Sequence, residues 1–131
     1  MRRKIWSGAV GVSLAALTVS LQAATTEPVY RVQDEILVTG RVTSVTTIPD
    51  WMGKDGVNIA LSSRDASAPH VDIATAAFLR TMDFAVAVGD DLVLTGCWSQ
   101  GADGSPVFLV HQLRKDKVTL NVRDPRGIPL W

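Results

Sequence analysis

From Ile36 onward, apolar side chains recur at every second position in six short runs separated by turn-forming residues. Ile36, Val38, Gly40 and Val42 line one face of a first strand, Val57, Ile59 and Leu61 a second, and Val71 and Ile73 a short third. A fourth runs from Leu92 to Trp98 and a fifth from Val107 to Leu113, and Val118, Leu120 and Val122 mark a sixth. The breaks between them, Pro49-Asp50, Gly53-Lys54-Asp55-Gly56, Gly89-Asp90 and Gly101 through Pro106, hold residues that favour turn geometry. One segment departs from period two. Ala74, Ala77, Phe78, Thr81 and Met82 follow helical spacing behind Thr75, a good N-cap, which predicts a helix of about two to three turns between strands three and four.

Three strands, a helix, then two more strands is the connectivity of an OB-type barrel. The expected fold is therefore mainly β: a small OB-like barrel of five to six strands with one short helix between strands three and four. Strands one and four both carry Thr-Gly after an apolar run, at Thr39-Gly40 and Thr95-Gly96. These strands pair in an OB barrel, and small barrels bend at glycines, so Gly40 and Gly96 are expected to be structural.

The chain opens with Arg2, Arg3 and Lys4 and a weakly apolar run that ends near Gln22-Ala23-Ala24. This is a secretory signal pattern, expected to be cleaved so that residues 1–23 are lost. Residues 24–35 read as a polar leader and 36–131 as one domain that includes its C-terminal tail. The expected location is the periplasm, with membrane attachment only if the signal segment stays uncleaved. All thirteen carboxylates but only ten of the thirteen Lys and Arg lie beyond that segment. An acidic exported domain lacks the basic field that nucleic acid attracts, so no nucleic-acid partner is expected. One cysteine leaves no intramolecular disulfide, and without a C-x-x-C-H word no conventionally attached c-type haem is expected.

Candidate chemistry is sparse. Cys97, between Gly96 and Trp98, has no cation within ten positions to lower its pKa, which favours packing over reactivity. His70, Cys97 and His111 form a metal set only if strands three, four and five bring them together, and none has a second ligand at short spacing. His111 shares the parity of Val107, Leu109 and Leu113, as a barrel-wall residue would. The adjacent Asp90 and Asp91 point to opposite strand faces, and no nucleophile motif is present, so neither an enzyme nor a cofactor is expected. Trp51 and Met52 sit in the loop between strands one and two, which borders the ligand face of OB folds; they suit a ligand or a partner, or a barrel cap. Trp98 reads as a structural cap. Trp131 ends a tail in which Arg123 and Asp124 are expected to fix the backbone while Ile128, Leu130 and Trp131 lie on the barrel. The alternative for that tail is a docking element with Trp131 as its anchor.

Three blocks carry a family resemblance: Val38-Thr39-Gly40-Arg41-Val42; His70 to Ile73 through Ala77-Phe78-Leu79 to Gly89-Asp90-Asp91-Leu92-Val93-Leu94-Thr95-Gly96; and Gly104-Ser105-Pro106 with the terminal word from Leu120 to Trp131. Together they resemble an exported bacterial OB-fold-like family of hypothetical periplasmic proteins with relatives among magnetosome-associated proteins. A looser likeness is to the periplasmic OB-fold stress proteins. The family tends to show V-H-L-G-P-A where this chain has Val71-Asp72-Ile73-Ala74-Thr75-Ala76, so a role for that histidine does not transfer to Asp72. The resemblance implies a fold and a location. The expected function is a non-catalytic binding or accessory module of the cell envelope, for a protein or small ligand; the alternative is a metal- or haem-handling redox accessory built on His70, Cys97 and His111.

Overall fold

The computed structural model describes residues 27–63 and 68–131. The expected signal segment and the start of the leader lie outside the described residues. A 3-10 turn at Val32–Asp34 leads into β1 (Ile36–Pro49), β2 (Asp55–Ser62), β3 (Ala68–Thr75), α1 (Ala76–Thr81), β4 (Asp91–Gln100), β5 (Pro106–Lys115) and β6 (Val118–Asn121). The long β1 serves two neighbours. Its first half, Ile36 to Arg41, pairs antiparallel with β4, and its second half, Arg41 to Pro49, pairs antiparallel with β2, with an irregularity between Val42 and Ser44. β3 pairs antiparallel with β2 and meets β5 in parallel through Val71 with Phe108 and Asp72 with Leu109. That last pairing closes a five-stranded barrel with the strand connections of an OB fold, and β6 adds a hairpin on the remaining edge of β5.

The barrel interior is filled by Val42, Ile59, Leu61, Val71, Ile73, Leu92, Leu94, Phe108, Val110 and Leu113, the inward members of the alternating runs. Its walls approach closely at two glycines. A Cβ on Gly40 would lie 2.6 Å from the Ser62 carbonyl oxygen, and one on Gly96 would strike the Leu109 carbonyl oxygen and lie 2.8 Å from Phe108 Cε2. The shared Thr-Gly word thus marks two places where only hydrogen fits between paired strands.

Two details differ from the sequence reading. Only six residues, Ala76–Thr81, are helical, because β3 keeps pairing with β2 through Ala74 and Thr75. Ala74 is therefore a buried strand residue, while Thr75 does cap the helix, its Oγ1 accepting from Phe78 N–H at 3.2 Å. The second difference is a bulge. In the β4–β5 ladder Thr95 faces Gln112 and Gly96 faces Val110, which leaves His111 as an extra residue. The bulge reverses the alternation, so Leu113 joins Phe108 and Val110 in the core and does not share a face with His111. The freed His111 carbonyl accepts from both Val122 and Arg123 N–H, at 2.8 and 3.2 Å, and ties the tail to the barrel.

Candidate binding cleft

Outside the barrel wall, the leader and the tail are joined by a cluster of polar side chains. Tyr30 O–H and His111 Nδ1 both meet Oε2 of Glu35, the histidine at 2.6 Å. A carboxylate only accepts, so Nδ1 carries the hydrogen. Burial and the Glu35 carboxylate push the Tyr30 phenol well above its ordinary range. Arg123, only 6% exposed, places its guanidinium 4.9 Å from the centre of the Tyr30 ring and 5.4 Å from that of Trp131, with Nη1 donating to the Gly127 carbonyl at 2.9 Å. Its Nε is sealed from solvent without a hydrogen-bond partner among the described residues. Burial lowers the Arg123 pKa from its ordinary value, and Asp72 and Tyr30 oppose that shift.

Cys97 lies under this leader. The thiol is fully buried, accepts a 3.4 Å contact from Arg31 N–H, and has its pKa raised by burial. It does not belong to the interior cluster that Leu92 and Leu94 join. The small residue at the bend is Gly96, and Cys97 fills the space between strand and leader.

A second region lies at the end of the barrel where the β1–β2 and β4–β5 loops converge over β2 and β3. Each loop is held by one aspartate. Asp50 Oδ1 accepts from Met52 and Lys54 N–H at 2.9 and 2.8 Å, while Asp103 Oδ1 accepts from Ser105 N–H and Oγ–H at 3.0 and 2.6 Å. The Ser105 bonds depress the Asp103 pKa. The first loop displays Trp51 and Met52, 48% and 59% exposed. Behind Trp51 opens a cavity of about 200 Å³, lined by Ile48, Asp50, Asn58, His70, Asp72 and Val107 among others. A smaller recess of about 20 Å³ continues from Trp51 and Asp72 to Arg123 and Trp131. On the other side an open groove of about 860 Å³ runs between the leader and the β4–β5 loop, past Trp98.

The polar lining has defined donor and acceptor roles. Asn58 is buried; its Nδ2 donates to the Gly56 carbonyl at 3.3 Å, which turns Oδ1 toward His70 Nε2 at 2.9 Å. Nε2 must then carry the hydrogen, leaving Nδ1 as the imidazole's acceptor in its neutral form. Asp72 stands one strand residue beyond Val71 at the β3–β5 seam. Burial raises its pKa, with Arg123 and His70 opposing the rise and Asp50 adding to it, and among the described residues no hydrogen bond satisfies its carboxylate.

The expected site residues therefore separate into two groups. Trp51 lines the cleft, whereas Met52 is exposed beside it in the same loop and lines no cavity among the described residues; Trp131 shares the small recess with Trp51 while its ring packs 6.3 Å from Phe78. His70, Cys97 and His111 do not converge: His70 is in the cleft beside Asn58, His111 is held by Glu35, and Cys97 is under the leader. Among the described residues no three His, Cys, Asp or Glu side chains are grouped to hold a metal ion. Trp98 rests edge-on against Phe108 at 5.4 Å, half-exposed to the open groove. In the tail Arg123 Nη1 donates to the Gly127 carbonyl, and Asp124 Oδ1 accepts from Arg126 and Ile128 N–H at 2.9 Å each. Of Ile128, Leu130 and Trp131 only Trp131 packs against the core; Ile128 and Leu130 remain half-exposed beyond the turn that Asp124 holds. Sequence reading missed Tyr30, Glu35 and Asn58, whose partners are set by folding and not by spacing.

A family model, that of the MamS/MamX magnetosome proteins, matches residues 36–120, from the start of β1 into β6. The chain belongs to the MamS/MamX magnetosome protein family. The match spans the whole barrel, including the cleft residues of β1 to β3 and both of its loops. Among curated proteins none matches the chain. Solved structures similar to it include that of yeast Stn1 and Ten1, at 16% identity and a TM-score of 0.48, over 64% of this chain and 43% of that one. Another is the Saccharomyces cerevisiae mitochondrial single-stranded DNA binding protein Rim1, at 9% identity and the same TM-score, over 68% of this chain and 97% of that one. The chain thus spans less than half the length of the Stn1/Ten1 chain it matches. The OB assignment of this MamS/MamX protein rests on its own strand order and the β3–β5 closure.

Proposed function

We propose that this protein is an exported, non-catalytic binding module that serves as an accessory protein of the bacterial cell envelope and binds its partner in the cleft behind Trp51. The observation that carries this reading is the convergence of two aspartate-pinned loops on a cavity whose rim is an exposed tryptophan and whose floor holds polar groups with unused capacity. Rigid loops around a preformed cavity keep the ordering cost of binding low. A large aromatic ring half in water is costly unless something covers it, and aromatic anchors are where interface energy concentrates.

Several features support the non-catalytic part. The one thiol is buried with a raised pKa, and each imidazole is engaged by Asn58 or Glu35. Export is supported by the basic and apolar N-terminal pattern, and an accessory role is in keeping with membership of a magnetosome family. Among the described residues, carboxylates and no lysine or arginine line the cavity behind Trp51, which disfavours a nucleic-acid strand there.

Recovery of a tagged protein with its bound proteins and metals tests the reading. A reproducible partner lost in Trp51→Ala but kept in Cys97→Ser is the expected outcome. No partner, or one lost equally in both variants, would overturn it. Cell fractionation with N-terminal sequencing of the same material tests export, the expected product starting at Ala24 or Thr25.

A further inference from the structure

The cleft behind Trp51 is unbalanced in its hydrogen-bonding capacity. Asp72 offers a carboxylate with no hydrogen-bond partner among the described residues, and Asp50 commits only one of its two oxygens to the loop backbone there. His70 spends its Nε2 hydrogen on Asn58, which leaves an acceptor nitrogen, and the Asn58 amide spends a hydrogen on Gly56. Among the described residues no lysine or arginine lines this cavity. Arg123, in the recess beyond, has its guanidinium against the Tyr30 and Trp131 rings and its Nε sealed. The cavity therefore presents acceptors and negative charge, and an occupant has to bring donors and positive charge.

Trp51 adds a second and independent requirement. Of the aromatic side chains, tryptophan has the face that attracts cations most strongly, and this one stands at the rim of a carboxylate-bearing cavity. The apolar part of the wall, from Pro28, Ile48, Pro49 and Val107, suits the methylene stem of a long side chain. Size decides the rest. At about 200 Å³ the cavity is below the ~300–1,000 Å³ that encloses a whole small molecule, so it takes a head group and its stem. A bare metal ion is a poor fit, because no three ligating side chains converge among the described residues.

We infer that the cleft binds an organic cation, a guanidinium or primary ammonium head on an apolar stem, with Trp51 over the cation and Asp72 accepting its hydrogen bonds. This rests on the binding-module reading and names the chemistry of its ligand. The head can come from a basic side chain of a polypeptide or from a free diamine or guanidine.

The test uses the purified protein and three probes: an end-blocked Gly-Arg-Gly tripeptide, the same peptide with citrulline in place of arginine, and agmatine. Affinity is read by isothermal titration, and location by the indole N–H resonance of Trp51. The expected result is that the arginine peptide binds at least about fivefold more tightly than the citrulline peptide, and that Trp51→Ala and Asp72→Asn each remove at least about fivefold. Trp51→Phe, which keeps a weaker aromatic face, should retain part of the binding. Agmatine binding as tightly as the arginine peptide identifies a free cation as the source, and peptide preference identifies a polypeptide. Equal binding of citrulline and arginine peptides, or binding indifferent to both cleft variants, would overturn the inference. If neither cationic probe binds while a Trp51-dependent partner is still captured, the cation assignment fails and the module reading stands.

Discussion

Asp72 is the residue where stability and the proposed binding are set against each other. Its pKa is raised in the folded protein by burial, so ionisation is harder in the fold than in the unfolded chain. The sign follows by linkage: the carboxylate imposes no cost below its unfolded pKa, and the cost is fully present once pH exceeds the raised folded value. Asp72→Asn is therefore expected to raise the thermal midpoint at neutral pH, with the gain vanishing near pH 3, as thermal unfolding across pH will show. The groups facing it, Arg123, His70 and Asp50, remain in the variant. Gly96→Ala should do the opposite. Its methyl has no space between Phe108 and the Leu109 carbonyl, and overpacking of this kind costs about 1–3 kcal/mol, measurable by denaturant unfolding. Gly96 was legible in the sequence because a bend leaves a local word. Asp72 was legible only as a departure from a family pattern, since its burial depends on the β3–β5 seam.

At the scale of elements, the leader is part of the fold. Tyr30 and Glu35 bind it to the His111 bulge, and its backbone covers Cys97. Glu35→Ala leaves Tyr30 and His111 without their shared acceptor, and the leader should lift. Cys97 in the unaltered protein is expected to react with an aromatic disulfide reagent only on unfolding, whereas in Glu35→Ala it should react many times faster with the barrel still folded by circular dichroism. An equally slow reaction would mean that the leader is held by packing alone. The strands were readable because alternation is local, and the barrel topology followed from their order. The length of α1 was not, because the β2 ladder claims Ala74 and Thr75 from a run whose spacing also suits a helix. The bulge was hidden for a similar reason: one extra residue in β5 leaves the apolar pattern almost unchanged while reversing which side chains face inward. The tail falls between these cases: its Asp124 turn is written in Asp-Pro-Arg-Gly, and the half-exposed places of Ile128 and Leu130 beyond that turn are not.

For the whole molecule, closure of the barrel places the β1–β2 and β4–β5 loops side by side, and the cleft exists only because of that closure. Trp51 and Met52 could be picked out from the sequence as loop residues near a ligand face, but Asn58, His70 and Asp72 become their neighbours through pairing between β2 and β3. The central claim is that this cleft is where the protein meets its partner. Site-specific photocrosslinking in the native host tests it most directly, with the crosslinking residue placed at Met52 beside the cleft or at Val118, an equally exposed position on β6. The account expects a discrete adduct from position 52, competed by the partner's free ligand group, and none from position 118. Adducts from position 118 with none from position 52 would contradict it.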